Sequence, residues 1–193
     1  MKVVFASRNP HKSVQVARLL PHVELVSLDD VAPGLKLEEP FETYEANALA
    51  KAKAVVQVTG LAAIADDSGL EVDALDGRPG VLSARYAGNG ATDEDNNRKL
   101  VSELRSVPAE KRTCRYRCAA AYVSTQGREI VTTGVCEGRI SLEGRGSLGF
   151  GYDPHFVPEG ETRTLAEIPL AEKLAYTHRG RAFRRLAEQL PRA

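Results

Sequence analysis

Hydrophobic and polar positions along the chain predict strands and helices that alternate. Short apolar runs of strand length lie at 2–6, 23–28 and 61–65. Apolar residues at helical spacing fill the stretches between them, over 10–20 and 44–58. Strands that alternate with helices are typical of an α/β fold, in which helices cover a sheet.

The second half of the chain adds a hairpin and two more helices. Thr92 is predicted to cap a helix that ends at Pro108, with acidic residues in its first turn. The stretches 113–124 and 129–137 flank a Thr-Gln-Gly turn and predict two antiparallel strands. A terminal helix is expected after residues 177–181. The sheet should therefore be mixed, with parallel and antiparallel strands.

The first predicted strand leads into a polar turn and a helix start, Ser-Arg-Asn-Pro-His-Lys at 7–12. Asn9 suits an N-cap and Pro10 suits the first helical position. Arg8, His11 and Lys12 bring positive charge to a helix N-terminus, where it opposes the helix dipole. An anionic ligand such as phosphate would explain these cations. The alternative is a solvated basic helix start.

Two adjacent carboxylates, Asp66 and Asp67, precede Ser68 and Gly69, directly after the apolar run 61–65. We expect the strand to end there and to deliver oxygen ligands at its carboxyl end, as a site for Mg²⁺ and phosphate requires. The alternative is an ordinary turn, because Asp, Ser and Gly are common turn residues. A long glycine-punctuated loop is expected to follow as far as Gly88, and such loops commonly carry function.

Composition limits the class of protein. The chain has 193 residues and 42% hydrophobic positions, so we expect one domain over 1–193, either undivided or with two lobes. Lys plus Arg and Asp plus Glu number 26 each, which argues against a general nucleic-acid binder. Three cysteines without a CxxC pair are expected to be buried thiols. No signal segment or apolar membrane span is apparent, so we expect a cytoplasmic protein without a membrane partner.

Several catalytic motifs are absent from the sequence, namely a Walker loop, an H-E-x-x-H motif and a G-x-S-x-G elbow. Residues 144–149 match G-x-G-x-x-G, but the following 150–154 is a turn and not a helix, so the dinucleotide interpretation fails. Phe150 and Tyr152 between glycines suggest aromatic rings at a pocket wall, or else core packing. Metal-assisted attack of water on a phosphoryl group remains as the favoured chemistry.

Five motifs occur in order: SRNPHK at 7–12, ETYEANALAKA at 42–52, ADDSGLEVDALDGRPGVLSARYAG at 65–88, GSLGFGYDPHFVPEG at 146–160 and AEKLAYTHRGRAF at 171–183. Together they resemble the inosine/xanthosine triphosphate pyrophosphatases, also called the Ham1-like family. The resemblance implies hydrolysis of ITP, dITP and XTP to the nucleoside monophosphate and pyrophosphate, with one Mg²⁺ per subunit. It also implies a long mixed sheet flanked by helices in two lobes with a central cleft, and a homodimer.

The resemblance assigns roles to individual residues. It implies that Asp67 is the general base and a metal ligand. It also implies that the Phe150 ring stacks on the purine of the nucleotide. The residues expected to bind substrate are Ser7, Arg8, Asn9, Pro10, His11, Lys12, Ser68, Phe150, Gly151, Tyr152, Asp153, Lys173, His178 and Arg179. Ala46 stands where the family often has a glutamate, so Glu38 or Glu39 is the candidate for a second metal carboxylate.

Two other functions stay open on the sequence. One is a non-catalytic sensor of purine nucleotides, which would not need the paired aspartates. The other is a house-cleaning pyrophosphatase for other modified nucleotides, such as modified pyrimidines. If the chain is an enzyme of the expected type, its activity should be greatest at alkaline pH, because both the base and the attacking water must lose a proton.

Overall fold

The computed structural model describes residues 1–191 of the chain, so the last two positions of the expected 1–193 domain lie outside the described residues. The described part contains six strands and six α-helices. In chain order they are β1 (Lys2–Phe5), α1 (Pro10–Leu19), β2 (Glu24–Ser27), α2 (Leu28–Val31), α3 (Tyr44–Thr59), β3 (Ala63–Val72), α4 (Asp93–Leu104), β4 (Thr113–Val123), β5 (Glu129–Ile140), β6 (Phe156–Pro158), α5 (Leu170–Lys173) and α6 (His178–Gln189).

The strands form one six-stranded sheet in the order β2-β1-β3-β4-β5-β6. β1 pairs in parallel with both β2 and β3, whereas β5 and β6 are antiparallel. The predicted α/β class with a mixed sheet is therefore confirmed. No helix among residues 1–191 combines the length and the apolar character that crossing a membrane would require.

The chain divides into two compact units, and β3, β4 and β5 each contribute residues to both. The first unit comprises residues 1–67, 118–134 and the chain from His178 onward. Its core packs apolar side chains of β1, α1 and β3 against α6, including Phe5, Val16, Ile64 and Phe183.

The second unit comprises residues 68–117 and 135–177. Its core includes Leu70, Leu100, Tyr116 and Phe156. All three cysteines of the chain are free and buried, as expected, one in the first unit and two in the second.

The helix starts are the best-predicted local features. Asn9 caps α1, because its side-chain oxygen accepts hydrogen bonds from the backbone N–H groups of His11 and Lys12 at 2.9 and 3.3 Å. Thr92 caps α4 and forms a reciprocal capping box with Asp95. Both caps satisfy N–H groups that have no partner within the helix.

Three expectations about irregular segments are wrong. Residues 66–69 do not follow a strand but lie within β3, which continues to Val72 because Leu70 and Val72 belong to the core of the second unit. The expected long loop to Gly88 contains two 3₁₀ turns, Asp73–Leu75 and Gly80–Arg85. The stretch 29–42, which its prolines and glycine predict to be a loop, begins inside α2, which the Ser27 side chain caps.

Candidate active site

Asp66 and Asp67 are neighbours on β3, so their side chains point to opposite faces of the sheet. Each carboxylate therefore meets different partners, although both residues are buried. Asp66 contacts cations of α1 and α6, and Asp67 contacts polar groups of α3. All of these partners belong to the first unit.

Asp66 is held as an anion. Its Oδ2 atom lies 3.1 Å from Lys12 Nζ and 3.0 Å from Arg179 Nη2. Burial by itself would raise the pKa of Asp66, but the charges of Lys12 and Arg179 outweigh it and hold this pKa well below its ordinary value. Gln15 completes the arrangement, because its Oε1 accepts a hydrogen bond from Arg179 Nη1 at 2.9 Å.

Asp67 has the opposite character. Burial raises its pKa, the negative charge of Glu39 adds to this, and the nearby Lys51 only partly opposes it. Its Oδ2 atom accepts a hydrogen bond from Asn47 Nδ2 at 3.0 Å, and its Oδ1 atom lies 3.8 Å from Lys51 Nζ. Asp67 is thus a fixed carboxylate that takes up a proton more readily than an ordinary aspartate, which suits a general base.

Lys51 lies between two carboxylates, because its ammonium also forms an ion pair with Glu39. Burial opposes the charge of Lys51, but Glu39 and Asp67 raise its pKa above the usual value. Glu38 is exposed, so Glu39 is the acidic residue that shares a cation with Asp67. Of the two glutamates that the sequence left open as metal ligands, Glu39 is therefore the one that lies beside Lys51 and Asp67.

The donor set around Asp67 fits a hard divalent cation. Asp67 and Glu39 offer carboxylate oxygens on either side of Lys51, and Asn47 holds one oxygen of Asp67. Within residues 1–191, no group of three or more His, Cys, Asp or Glu side chains could hold a metal ion. Mg²⁺ commonly takes only one or two carboxylates and leaves its other positions to water and phosphate.

The segment Ser7–Lys12 forms the start of α1, as expected, but most of its polar groups have internal partners. Asn9 Oδ1 caps the helix, and Ser7 Oγ accepts a hydrogen bond from the Asn9 N–H at 3.2 Å. The Arg8 guanidinium binds Asp29 at 2.7 Å and the backbone oxygens of residues 32, 33 and 35. Lys12, which reaches Asp66, is the cation of this segment that is placed beside the paired aspartates.

The remaining candidates of the first unit are on α6. His178 is the first residue of this helix and Arg179 the second, so the helix begins four residues earlier than expected, at 178 and not after 181. Both side chains are buried. The Arg179 guanidinium is bound to Asp66 and Gln15, and its expected role in binding substrate stays a prediction.

The other substrate candidates belong to the second unit, where Ser68 lies on β3 and the others on α5 and the tight turn 149–153. Asp153 Oδ2 accepts hydrogen bonds from Lys173 Nζ at 2.9 Å and from the Phe150 N–H at 3.4 Å. Gly149 has a φ of +97°, and a Cβ atom there would collide with the Asp153 carboxylate and with Lys173. The buried Lys173–Asp153 pair therefore requires glycine at position 149.

Phe150 and Tyr152, predicted together as rings at a pocket wall, have different positions. Tyr152 is buried in the core of the second unit, and its hydroxyl donates to the Ser83 carbonyl at 2.8 Å. Phe150 is half-buried and lines a cavity of about 370 Å³, together with Leu148, Asp93 and Asn97. Of the two interpretations left open on the sequence, Tyr152 thus packs in the core and Phe150 lies at a cavity wall.

Comparisons with known proteins agree with this architecture. A model of the Ham1 family matches residues 3–189, almost the whole chain. The chain belongs to the Ham1 family. The resemblance seen in the five sequence motifs is confirmed.

Ham1 relatives match over nearly their full length. A Geobacter sulfurreducens protein named dITP/XTP pyrophosphatase is 48% identical over 191 residues, which cover 98% of this chain and 96% of the relative. The solved structure of the Staphylococcus aureus Ham1 protein has a TM-score of 0.87 and 33% identity, with 97% of each chain covered. A Mycobacterium abscessus nucleoside-triphosphatase / dITP/XTP pyrophosphatase structure has a TM-score of 0.74 and 46% identity, with 90% and 89% covered.

Reasoning from the Ham1 motifs missed three polar residues that the structure places at the aspartates. Asn47 and Lys51 are 0% and 5% exposed, although the sequence assigns them to the polar face of a helix. Gln15 is also buried, on α1. The spacing of Asn47 and Lys51, four residues apart on one helix face, was an available signal for the first two.

Proposed function

We propose that this chain hydrolyses the non-canonical purine nucleotides ITP, dITP and XTP to the nucleoside monophosphate and pyrophosphate, with Mg²⁺. The observation that carries the proposal is the pair of neighbouring aspartates, of which Asp66 is firmly ionised and Asp67 has a raised pKa. A nucleotide-binding protein without turnover has no need for a buried carboxylate that is held ready to accept a proton. The relatives that are named dITP/XTP pyrophosphatase agree with this chemistry.

In the proposed mechanism, Asp67 removes a proton from the water that attacks a phosphorus atom. Its Oδ2 atom is fixed by Asn47, which keeps the carboxylate in one orientation. Because burial raises the pKa of Asp67, it binds the proton more firmly than an ordinary aspartate. Lys51 keeps Asp67 and Glu39 close together in spite of their like charge.

Asp67 and Glu39 are the residues that we propose hold Mg²⁺. When bound, the ion would neutralise charge on the phosphates and make a nearby water more acidic. Lys12, at the start of α1, is positioned to take up phosphate charge, and Asp66 keeps its ammonium in place until the substrate binds. Phosphoryl transfer depends mainly on such positioning and charge neutralisation.

A substrate panel with Asp67→Asn as the matched variant tests the function. Pyrophosphate release is measured with dITP, XTP, dUTP, ATP and GTP in the presence of Mg²⁺. We expect the wild-type protein to release pyrophosphate from dITP and XTP at least about tenfold faster than from ATP. Asp67→Asn should lose about 100-fold or more in kcat, because it cannot accept the proton.

The outcomes separate the three functions that the sequence left open. Binding of dITP without any release of pyrophosphate by the wild-type protein would identify a sensor and overturn the proposal. A preference for dUTP would identify a pyrophosphatase for modified pyrimidines. The expected alkaline optimum is tested on the same assay, and a maximum below neutral pH contradicts the proposed deprotonation of both Asp67 and water.

We also propose that the protein is a cytoplasmic homodimer. The resemblance to the family supports the dimer, and the free buried cysteines agree with a reducing compartment. Light scattering after size-exclusion chromatography measures the assembly directly. A mass of about 21 kDa, equal to that of the single chain, would contradict the dimer.

A further inference from the structure

Two side chains of α4 hold one glycine of the turn 149–153. Asp93 Oδ2 accepts a hydrogen bond from the Gly151 N–H at 2.6 Å, and Asn97 Nδ2 donates to the Gly151 carbonyl at 2.9 Å. Asp93 and Asn97 are four positions apart, so they lie on the same face of the helix. One helix face therefore binds both the N–H and the carbonyl group of Gly151.

The other peptide groups of this turn are partnered as well. The Phe150 N–H donates to Asp153 Oδ2, the Tyr152 N–H to the Tyr116 hydroxyl, and the Asp153 N–H to the Phe150 carbonyl, at 3.4, 3.1 and 3.3 Å. Every N–H from Phe150 to Asp153 therefore has an acceptor. The hydrogen bonds at positions 150 and 151 therefore restrict the backbone from which the Phe150 side chain extends.

The two hydrogen bonds from α4 act on the residue of the turn whose own backbone is least restricted. Gly151 has a φ of +62°, and glycine has no side chain that would restrict its backbone to this conformation. Asp93 and Asn97 supply the restriction from a regular helix, whose own N-terminus is fixed by the Thr92 capping box. Both residues also line the same 370 Å³ cavity as Phe150.

We propose that Asp93 and Asn97 are positioning residues that fix the Phe150 ring for stacking on a flat base. This inference rests on the proposed function, because it assumes a nucleotide substrate. Neither residue is assigned to the chemistry of hydrolysis; both act through the 149–153 turn. A ring held in place before binding loses no conformational freedom when the base arrives, so the affinity for the substrate is higher.

Steady-state kinetics with XTP give the first test. We expect Asn97→Leu and Asp93→Ala each to raise KM about fivefold to tenfold, the effect of one lost hydrogen bond, with kcat within about twofold of wild type. Asp93→Asn should restore a KM near that of wild type, because its amide oxygen can accept the same N–H. The control is Arg98→Gln, next to Asn97 on α4 but exposed and outside this cavity, which should leave KM unchanged.

A second readout does not depend on turnover. The chain contains no tryptophan, so Phe150→Trp introduces a single fluorescent reporter in the turn. In that background, Asn97→Leu should increase quenching of the tryptophan by acrylamide about twofold, whereas Arg98→Gln should not, at equal melting temperatures.

The two readouts keep failure of the inference distinct from failure of the proposed function. If the wild-type protein does not hydrolyse XTP, the proposed function fails, and the quenching measurement alone decides whether Asp93 and Asn97 hold the turn. If XTP is hydrolysed and neither KM nor quenching responds to Asn97→Leu and Asp93→Ala, the inference is wrong.

Discussion

Replacement of Asp66 by asparagine tests how much the buried ion cluster stabilises the fold. The Asp66 and Arg179 side chains are 0% and 3% exposed, and Arg179 contacts Asp66 Oδ2 through both Nε and Nη2, at 3.2 and 3.0 Å. Asp66→Asn keeps the shape of the side chain but removes its charge. The Arg179 guanidinium is then buried without a counter-ion of its own on β3.

The size of the effect follows from the burial. Removing one partner of a buried ion pair costs about 3–5 kcal/mol in the free energy of unfolding. An unfolding entropy of about 2.1 cal/mol/K per residue gives about 0.4 kcal/mol/K for a chain of 193 residues. Dividing the first by the second, we expect the melting temperature at pH 7 to fall by about 7–12 °C.

Thermal unfolding followed by circular dichroism measures this change. Asp76→Asn is the matched control, because Asp76 is exposed and its left-handed backbone tolerates asparagine, so its melting temperature should stay within about 1 °C of wild type. Lys12→Met combined with Asp66→Asn should cost less than the sum of the two single changes, since Lys12 and Asp66 share one interaction. An Asp66→Asn variant that melts within about 2 °C of wild type would refute the reasoning.

The pH dependence gives an independent check on the same variant. The pKa of Asp66 is lowered in the folded protein, against the opposing effect of burial, by Lys12 and Arg179. Its stabilisation is therefore fully present above the ordinary value of 3.8 and is lost as the pH falls below it. The difference in melting temperature between wild type and Asp66→Asn should be constant from about pH 5 to pH 8 and should narrow below about pH 4.

Three further predictions concern Asp67, Lys51 and the thiols. Burial raises the pKa of Asp67 in the folded state, so the ionised carboxylate lowers the free energy of unfolding at pH values above that pKa. Calorimetry at pH 7 should therefore show a higher melting temperature for Asp67→Asn than for wild type. A lower melting temperature would contradict the destabilising effect of the buried charge. Lys51→Met removes a charge that lowers the pKa of Asp67, so the acidic limb of the kcat/KM profile should move to higher pH; an unmoved limb would exclude Asp67 as the titrating base. Burial raises the pKa of the Cys118 thiol to about 12 and that of Cys114 well above its ordinary value. An aromatic disulfide reagent at pH 8 should therefore react with the three buried thiols only after the protein is unfolded in guanidinium. Rapid reaction of the native protein would contradict their burial.

Local signals in the sequence were sufficient for the starts of α1 and α4 and for the alternation of strands and helices in the first part of the chain. Asn9 with Pro10, and Thr92 with its acidic neighbours, act within four residues of themselves, so their effect can be predicted without a fold. The continuation of β3 beyond Asp67 could not be predicted in this way. Two carboxylates, a hydroxyl and a glycine favour a turn, and only tertiary partners for the carboxylates make a strand possible there.

The partners at the candidate site were harder to predict than the site itself. Asp67 meets Asn47 from 20 positions away, and Asp66 meets Arg179 from 113 positions away. The spacing of Asn47 and Lys51 places both on one helix face, but a buried lysine has the same spacing as a solvated one, so the sequence did not show that this face is buried. Gly151 and Asn97, 54 positions apart, show the same limit for the 149–153 turn.

The placement of both aspartates on one continuous strand makes the site sensitive to changes in chain length. Deleting or inserting a single residue between Ala63 and Asp66 would slip the register, and each carboxylate would then occupy the face that the other now uses. The anion that anchors Lys12 and the proton acceptor beside Asn47 would exchange environments, and neither would keep its partners. Variation in length among functional homologues should therefore be tolerated in the turn 124–128, outside the strands, and avoided in this stretch of β3.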